Sequence, residues 1–541
     1  MENSILHIND PVNEPVFQYE RNSGERKQLL DAIELLSKNP IEIPLMIGGR
    51  EIRTGDMGRV VCPHDHQKTL ATYHKATEKE IMHAIEESLK AKKMWEEIRW
   101  IDRANIMLRA AELISKKYRF VINAATMLGQ SKNPFQAEID SACETIDFLR
   151  YNAYFASKIY EQQPKSSNSQ LNRIDYRPLE GFVFTVSPFN FTAIASNLNM
   201  VAVMMGNTTV WKPATTALLS NFYLMKIFRE AGLPDGVINF IPGQGSLIGN
   251  IVTNHKDLAG IHFTGSNNTF NYLWKSVANN LEKYRSYPKL VGETGGKNFI
   301  FAHQSAGIQE LATAIIRGGF EYQGQKCSAA SRVYIPKFIW KELKDLLIEM
   351  VAGIKVGDIF DFSNFMNAVI DEPSYDNILG YIQKARESND CKILCGGNGD
   401  KSVGYFIEPT LILTKDPSFV TMQEEIFGPV VTIYVYDDGE YEETLYLCNN
   451  TSPYGLTGAI FAQDVYAVAK AEKILKHAAG NFYVNDKPTG AVVGMQPFGG
   501  ARGSGTNDKA GGMMNLIRWT NPRNIKQQLY PSTDYQYAFM H

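Results

Sequence analysis

The sequence predicts an α/β protein built on parallel sheets, with more than one domain. From residue 181 onward, short apolar runs at 181–186, 208–211, 237–241 and 260–264 alternate with helical patterns. This alternation is typical of βαβ units, in which neighbouring strands are parallel. A chain of 541 residues is also too long for one compact core, so two or more domains are expected.

Helices in the first half are indicated by their start signals and by apolar spacing. Thr77 and Glu80 form a capping-box pattern in front of a helix predicted over 78–97. Apolar residues at helical spacing predict two more helices, over about 102–114 and over about 216–231, the latter ending at a glycine that a proline soon follows.

A second α/β stretch is predicted after Glu293. Its candidate strands are 298–302, 332–336, 405–413, 430–436 and 481–485. The segment 162–177 is polar and rich in Ser and Asn, so it is expected to be either a linker or an exposed hairpin.

Composition excludes several classes of protein. The net charge is −3, so no global basic field attracts nucleic acid or a membrane surface. The most apolar stretch, 182–205, is interrupted by polar residues, and no membrane span is expected. Six scattered cysteines do not form a disulfide framework, and the pair Cys391 and Cys395 lacks the second pair of ligands that a metal site needs.

The N-terminus does not have the pattern of a targeting segment. Glu2, Asp10 and Glu14 precede the first basic residue, Arg21, whereas a signal peptide starts basic and a mitochondrial presequence is rich in arginine. The expected location is the cytoplasm, or the mitochondrial matrix if the sequence is that of a processed eukaryotic chain.

Three residues carry candidate chemistry, and each alone is a weak signal. Cys327 follows Lys326, a cation that would favour the reactive thiolate, although a lone cysteine is more often structural. Glu293 lies among glycines, which suggests a turn, and its carboxylate could act as a general base. Asn190 follows a predicted strand, where its amide could donate to an oxyanion.

A phosphate-binding site is suggested where a predicted strand ends. Gly265 and Ser266 follow the run at 260–264 and open a helical segment, and a helix N-terminus offers free N–H groups to an anion. Another glycine cluster, at 243–249, does not meet the three-glycine dinucleotide fingerprint and is weak evidence.

Seven segments in a fixed order carry a resemblance to a known family. They are SPFNF, VWKP, FTGS, GETGGKN, GQKCSA, EEIFGP and QPFGG. Together with the 34-residue separation of Glu293 and Cys327, they resemble the aldehyde dehydrogenase superfamily, from about residue 45 to the C-terminus.

This resemblance implies a fold of three parts. A Rossmann-like parallel-sheet domain that binds NAD would comprise 1–160 and 179–292, and an α/β catalytic domain would comprise 293–506. A β-flap at 161–178 and a tail at 507–541 would join two chains into a homodimer.

It also implies roles for the candidate residues. Cys327 would attack the aldehyde carbon, the Asn190 amide and the Cys327 backbone N–H would hold the oxyanion, and Glu293 would activate water to release the acid. The implied cofactor contacts are Ser187, Lys212, Gly265, Ser266, Glu425 and Phe427, with Lys212 and Glu425 at the two riboses and Phe427 near the nicotinamide.

Longer segments, among them PFNFTAIASNLN and GNFYVNDKPTGAVVGMQPFGG, resemble the members that oxidise L-glutamate γ-semialdehyde to glutamate in proline breakdown. This small-molecule substrate would be supplied by a separate proline dehydrogenase. The implied substrate contacts are Glu144, Phe191, Lys326, Ser328, Gly490, Ala491 and Phe498.

Two positions depart from the family pattern. Many NAD-linked relatives place Glu where this chain has Thr215, so use of NADP stays open. Ala491 stands where some relatives have Ser, which leaves capture of the substrate carboxylate more dependent on backbone N–H groups.

Two other functions remain open from the sequence. The chain could act on a different semialdehyde or on an aliphatic aldehyde, although a neutral substrate would not need the anion-binding pair Gly490 and Ala491. A catalytically silent relative with a binding or structural role is disfavoured because Cys327, Glu293 and Asn190 are all present.

Overall fold

The first of two large sheets contains seven strands, in the computed structural model that describes residues 7–541. In spatial order they are Lys289–Glu293, Leu258–Thr264, Phe182–Val186, Thr209–Lys212, Ile238–Phe240, Leu45–Ile47 and Arg50–Ile52. The first five are parallel, and the last two are antiparallel additions at one edge. The four apolar runs predicted as strands are therefore confirmed, each within a few residues.

Helices accompany this sheet, as the βαβ pattern predicts. They are Glu78–Trp95, Thr192–Met204, Leu218–Glu230, Gly245–Thr253 and Asn267–Ala278. The capping box of Thr77 and Glu80 is present in the structure, and the predicted start of the helix over 78–97 is confirmed. Ser266 accepts a hydrogen bond from the backbone N–H of Thr269, so it is the N-cap of the helix that follows Gly265.

The second large sheet also has seven strands. Their order is Cys391–Cys395, Thr410–Thr414, Val430–Tyr436, Ala330–Pro336, Asn298–Ala302, Thr457–Phe461 and Asn481–Val484. All are parallel except the first. The helices of this part are Ile308–Phe320, Lys337–Ala352, Glu372–Glu387, Tyr441–Asn450 and Val465–Leu475, with the short Val420–Gln423. The predicted α/β class with parallel sheets is confirmed.

One strand prediction in this sheet is wrong. The run 405–413 is not continuous, because Phe406–Ile407 pairs with Gly399–Asp400 in a separate two-stranded sheet. Only Thr410–Thr414 joins the large sheet. Pro409 stands between the two pieces, and proline cannot donate to a strand ladder.

The N-terminal part packs as a helical layer around the largest buried cluster. Its helices are Gly24–Lys38, Trp100–Leu113, Arg119–Gln130, Pro134–Ala137 and Glu144–Glu161, with π-helical turns at Ile114–Tyr118 and Glu138–Cys143. A small sheet of Ile41–Ile43, Asp65–His74 and Met57–Cys62 lies in the same part. The predicted helix over 102–114 corresponds to Trp100–Leu113.

The polar segment 162–177 folds back at an exposed turn, where Ser167 and Gln170 exchange two backbone hydrogen bonds, as the hairpin alternative predicts. Its second half forms the strand Gln170–Pro178, which pairs antiparallel with Thr520–Gln528 near the C-terminus. Most side chains of the Thr520–Gln528 strand are exposed, as are several aromatic side chains of the tail.

The remaining short elements include the helix Met513–Ile517 and the paired residues Tyr454–Gly455 and Ala501–Arg502. No helix within residues 7–541 has the length and apolarity needed to cross a bilayer.

Candidate active site

A cavity of about 340 Å³ receives side chains from the loops of both large sheets. It unites nine of the residues that the sequence singled out: Glu293, Cys327, Glu144, Phe191, Lys326, Ser328, Gly490, Ala491 and Phe498. Asn190 lies next to Phe191, and its amide Nδ2 donates to the carbonyl oxygen of Gln325 at 3.1 Å. An amide nitrogen carries two N–H groups, so Asn190 keeps one for another acceptor.

Cys327 lies just before the strand Ala330–Pro336 and is held there through its backbone. The Nδ2 atom of Asn298 is 2.7 Å from the carbonyl oxygen of Cys327 and 2.9 Å from that of Ala329. Gly296 makes room for this arrangement, since a Cβ at that position would lie 2.4 Å from the Cys327 oxygen. Sequence reasoning missed Asn298, although it stands inside the quoted motif GETGGKN.

Three consecutive residues shortly before Cys327 have a left-handed backbone conformation. Tyr322, Gln323 and Gly324 have φ of 50°, 56° and 67°. Left-handed backbone costs roughly 1–2 kcal/mol for a residue with a side chain, so the surroundings must hold it. Gln323 donates to the carbonyl oxygens of Ser131 and Ala368, at 3.0 and 2.8 Å.

The charge around Cys327 differs from the sequence-based expectation. Burial, together with the charges of Glu293, Glu425 and Glu144, raises the pKa of the Cys327 thiol well above its usual range. Lys326 does not offset this effect, because it forms an ion pair with Glu321 at 3.3 Å. This direction is opposite to the one expected from Lys326, whose ammonium group is paired with Glu321.

Glu293 is the last residue of a strand, not part of a turn as predicted. Its Oε2 accepts a hydrogen bond from the backbone N–H of Gly500 at 3.2 Å. Burial raises the pKa of the Glu293 carboxyl well above its ordinary value, and the Gly500 hydrogen bond offsets only part of that rise. The carboxyl thus keeps its proton to a higher pH than a solvated glutamate would.

The far end of the cavity is formed by the loop around Gly490. The hydroxyls of Ser328 and Thr489 lie 2.8 Å apart, which places this loop beside Cys327. Gly490 has φ of +92°, a conformation that glycine adopts without steric cost. Phe498 exchanges two backbone hydrogen bonds with Ala510, at 2.9 and 2.8 Å, and these fix its place in the wall.

Acidic side chains from the π-helical turn Glu138–Cys143 and the helix after it form another part of the wall. Asp140, Glu144 and Asp147 line the cavity. Burial and the neighbouring Asp140 raise the pKa of Glu144 well above its usual value. The fully buried Lys132 ion-pairs with Asp140 at 2.6 Å, and its Nζ lies 4.3 Å from the ring centre of Phe191.

An N-terminal arm also reaches the cavity, which the sequence did not indicate. Asn13 and Glu14 line it. The Asn13 amide donates both to Asp147 at 2.8 Å and to the carbonyl oxygen of Val493 at 2.9 Å. Burial raises the pKa of Asp147 to about 6, although its hydrogen bonds from Asn13 and Glu14 act against this rise.

Four of the predicted cofactor residues lie at the carboxyl edge of the first sheet. Lys212 ends one of three adjacent parallel strands, and Ser187 and the pair Gly265–Ser266 directly follow the other two. Ligands of open α/β sheets bind at this edge. Lys212 is largely buried, which lowers its pKa, and its Nζ has no hydrogen-bond or ion-pair partner within the described part of the chain. Such an ammonium fits a ligand rich in hydroxyl groups, as the riboses of NAD are.

The other two cofactor residues, Glu425 and Phe427, come from the loop before the strand Val430–Tyr436. Glu425 accepts from the backbone N–H of Gly296 at 2.8 Å, and burial raises the pKa of this carboxyl to about 7. Phe427 packs edge-on against Phe189, with 5.8 Å between ring centres. Both residues therefore approach the loop that carries Asn190 and the glycines that support Cys327.

The chain is similar to known proteins over nearly its whole length. A model of the aldehyde dehydrogenase family matches residues 52–525. The delta-1-pyrroline-5-carboxylate dehydrogenase of Dictyostelium discoideum is 51% identical over 537 residues, which are 99% of this chain and 96% of that protein. The human protein of the same name is 48% identical over 530 residues, 98% of this chain and 94% of its own.

The fold is shared to the same extent. The NAD-bound crystal structure of delta-pyrroline-5-carboxylate dehydrogenase from Mycobacterium tuberculosis superimposes with a TM-score of 0.97, at 47% identity, and covers both chains completely. The family match spans most of the sequence, and the relatives match at both ends. The chain belongs to the aldehyde dehydrogenase family.

Proposed function

We propose that the protein oxidises L-glutamate γ-semialdehyde, the open form of 1-pyrroline-5-carboxylate, to L-glutamate with NAD. The observation that carries this proposal is the cavity in which Cys327 and Glu293 meet the loop Gly490–Ala491 and an acidic wall. The relatives support it, since proteins about half identical over nearly the whole chain are named for this substrate.

The reaction begins at the sulfur of Cys327. The thiol loses its proton and the sulfur attacks the aldehyde carbon, so that the carbonyl oxygen becomes the oxyanion of a thiohemiacetal. The free N–H of the Asn190 amide and the backbone N–H of Cys327 stabilise that oxyanion. The proton that the thiol loses passes to solvent.

When bound, NAD supplies the oxidant, which accepts the hydride that the thiohemiacetal loses on becoming a thioester. Lys212 and Glu425 would hold its two riboses, Ser187 and the helix start at Gly265–Ser266 would contact its phosphate and adenine side, and Phe427 would border the nicotinamide. Each of these roles is part of the proposal.

Glu293 completes the cycle. Its carboxylate takes a proton from water, the hydroxide adds to the thioester carbon, and the sulfur of Cys327 leaves as L-glutamate forms. Gly490 and Ala491 hold the substrate carboxylate through backbone N–H groups, with Ser328 beside them. Phe191 and Phe498 enclose the aliphatic stem, while Glu144 faces the α-ammonium group and Lys326 balances the nearby acids.

A steady-state comparison of aldehydes tests this proposal. The substrates are glutamate semialdehyde, succinate semialdehyde and hexanal, each measured with NAD and with NADP. We expect the highest kcat/KM for glutamate semialdehyde with NAD. A higher value for either rival aldehyde would establish one of the alternative substrates instead.

The alternative of a catalytically silent protein is tested by Cys327→Ala. This variant should produce no NADH and should still bind NAD, because the Cys327 side chain is not among the predicted cofactor contacts. Turnover equal to that of the wild type would remove Cys327 from the mechanism.

We further propose that the paired strands Gln170–Pro178 and Thr520–Gln528, with the exposed tail, join two copies into a homodimer. Exposed strand edges readily pair with a second chain.

The mitochondrial matrix is the proposed location, because several similar proteins are named as mitochondrial. A link to a separate proline dehydrogenase is part of the same proposal.

A further inference from the structure

Lys487 is a cationic side chain in the cavity that the mechanism above does not use. It lines the cavity, and its Nζ donates to the carbonyl oxygen of Thr489 at 3.0 Å. A Cβ on Gly490 would lie 2.8 Å from the same Nζ. The ammonium group therefore rests directly against the glycine whose N–H is proposed to hold the substrate carboxylate.

The charge of Lys487 is not neutralised by a carboxylate. Across residues 7–541, no acidic group lies within 4.0 Å of its Nζ, in contrast to Lys132 and Lys326, which pair with Asp140 and Glu321. The neighbouring Asp486 accepts instead from the backbone N–H of Lys487 at 2.7 Å. An ammonium has three N–H donors, and the contact with Thr489 uses one of them.

The rest of the anion-binding loop lacks charge. Gly490 and Ala491 offer only backbone N–H groups, and Ala491 has no hydroxyl to add. The Ser328 hydroxyl is already in contact with Thr489. A charge-assisted hydrogen bond is roughly twice as strong as a neutral one, so an unpaired ammonium would dominate carboxylate binding at this loop.

We propose that Lys487 is a specificity-determining residue, whose ammonium contacts the α-carboxylate of the substrate. Glu144 and Asp147, which line the same cavity, then face the α-ammonium group. The cavity thereby distinguishes a zwitterionic aldehyde from a neutral one of the same length. This inference rests on the proposed function and adds to it the source of the positive charge.

The test compares Lys487→Met with Lys487→Arg, because methionine keeps much of the side-chain length without the charge. With glutamate semialdehyde, Lys487→Met should raise KM about tenfold or more, as expected for a lost charge-assisted contact, while Lys487→Arg should retain most of the affinity. With hexanal, kcat/KM of Lys487→Met should stay within about twofold of the wild type. Inhibition by L-glutamate, the product, should weaken in parallel with the rise in KM.

The outcome separates this role from a merely structural one. If Lys487 only shapes the loop, its loss displaces Thr489 and Ser328 beside Cys327, and turnover of hexanal falls as far as that of glutamate semialdehyde. That result, or an unchanged KM for glutamate semialdehyde, overturns the inference. NAD binding and thermal unfolding of both variants show whether the fold is intact. Failure of the proposed function is recognised independently, in the wild type, by a preference for hexanal.

Discussion

Asn298 holds Cys327 by its backbone, with the Asn298 Nδ2 atom 2.7 Å from the Cys327 carbonyl oxygen. The same side chain accepts from the backbone N–H of Thr457 at 2.9 Å, so one buried amide ties the proposed nucleophile to two strands of the second sheet. Removing one partner of a buried hydrogen bond costs about 1–3 kcal/mol. Asn298 is therefore expected to matter for both stability and catalysis.

Two substitutions separate the functions of that amide. Asn298→Ala removes its donor and its acceptor, and we expect a lower melting temperature and a kcat reduced about tenfold or more, since small displacements of a reacting group are costly. Asn298→Asp keeps an acceptor for Thr457 but loses the donors, and kcat should fall as far. Thermal unfolding and steady-state kinetics measure the two effects. A kcat for Asn298→Ala within twofold of the wild type would contradict this assignment.

Gly296 should not tolerate a side chain. In Gly296→Ala the new Cβ would meet the Cys327 carbonyl oxygen at 2.4 Å, and a backbone atom cannot move away cheaply. We expect kcat/KM to fall about 100-fold, as a displacement near 1 Å does in active sites. The control is Gly380→Ala, in the helix Glu372–Glu387, where no atom lies within 4 Å of the added Cβ. That variant should gain about 0.5–1 kcal/mol of stability and keep full activity.

Glu293 should set the acidic limb of the pH profile. Only the carboxylate accepts a proton from water, and burial raises its pKa above the ordinary value. Turnover should therefore rise with pH, through an apparent pKa above 4.5. Glu293→Gln should lower steady-state kcat about 100-fold or more and leave a single-turnover burst of NADH. Glu342→Gln, at an exposed helix position, is the matched control. A variant Glu293→Gln with an unchanged acidic limb would assign that limb to another group.

The proposed dimer depends on the strand Thr520–Gln528. A chain that ends after Thr520 keeps the carbonyl oxygen that Lys289 contacts at 2.6 Å and loses the rest of the strand and tail. We expect it to be monomeric by light scattering coupled to size-exclusion chromatography. Arg523→Ala removes only the exposed ion pair with Asp175, and such pairs contribute little, so its mass should match the wild type. An unchanged mass of the truncated chain would place the interface elsewhere.

Sequence reasoning located most of the fold because its strands are apolar runs bounded by turn residues. The strand Thr457–Phe461 was missed, since Gly458 and Ala459 weaken its apolar pattern. The structure explains the glycine, because a Cβ at 458 would lie 2.1 Å from the ring of Phe299. Contact with a strand that is adjacent in the sheet but far away in sequence therefore requires glycine at this position. The local sequence pattern alone disfavours glycine in a strand.

The candidate site also contains some residues that sequence motifs indicate and others that only the folded structure reveals. Cys327, Glu293 and Asn190 were recognised from ordered motifs, whereas Asn13 and Lys487 act through contacts that no local pattern contains. Asn13 meets Val493 across 480 residues of sequence, and the single bond from Lys487 to Thr489 is informative only once the cavity is seen. The pairing of Lys326 with a glutamate five residues before it could not be read from the residues next to Cys327.

The bond between Asn13 and Val493 also orders events during synthesis. Ribosomes add roughly 5–20 residues per second, so the 480 residues between these positions take roughly 25 to 100 seconds to appear. The N-terminal arm must wait that long for the loop it contacts. The first sheet ends at Glu293 and has all its strands much earlier. A nascent chain therefore contains every strand of the sheet proposed to bind NAD well before it contains the loop that the N-terminal arm contacts at the aldehyde cavity.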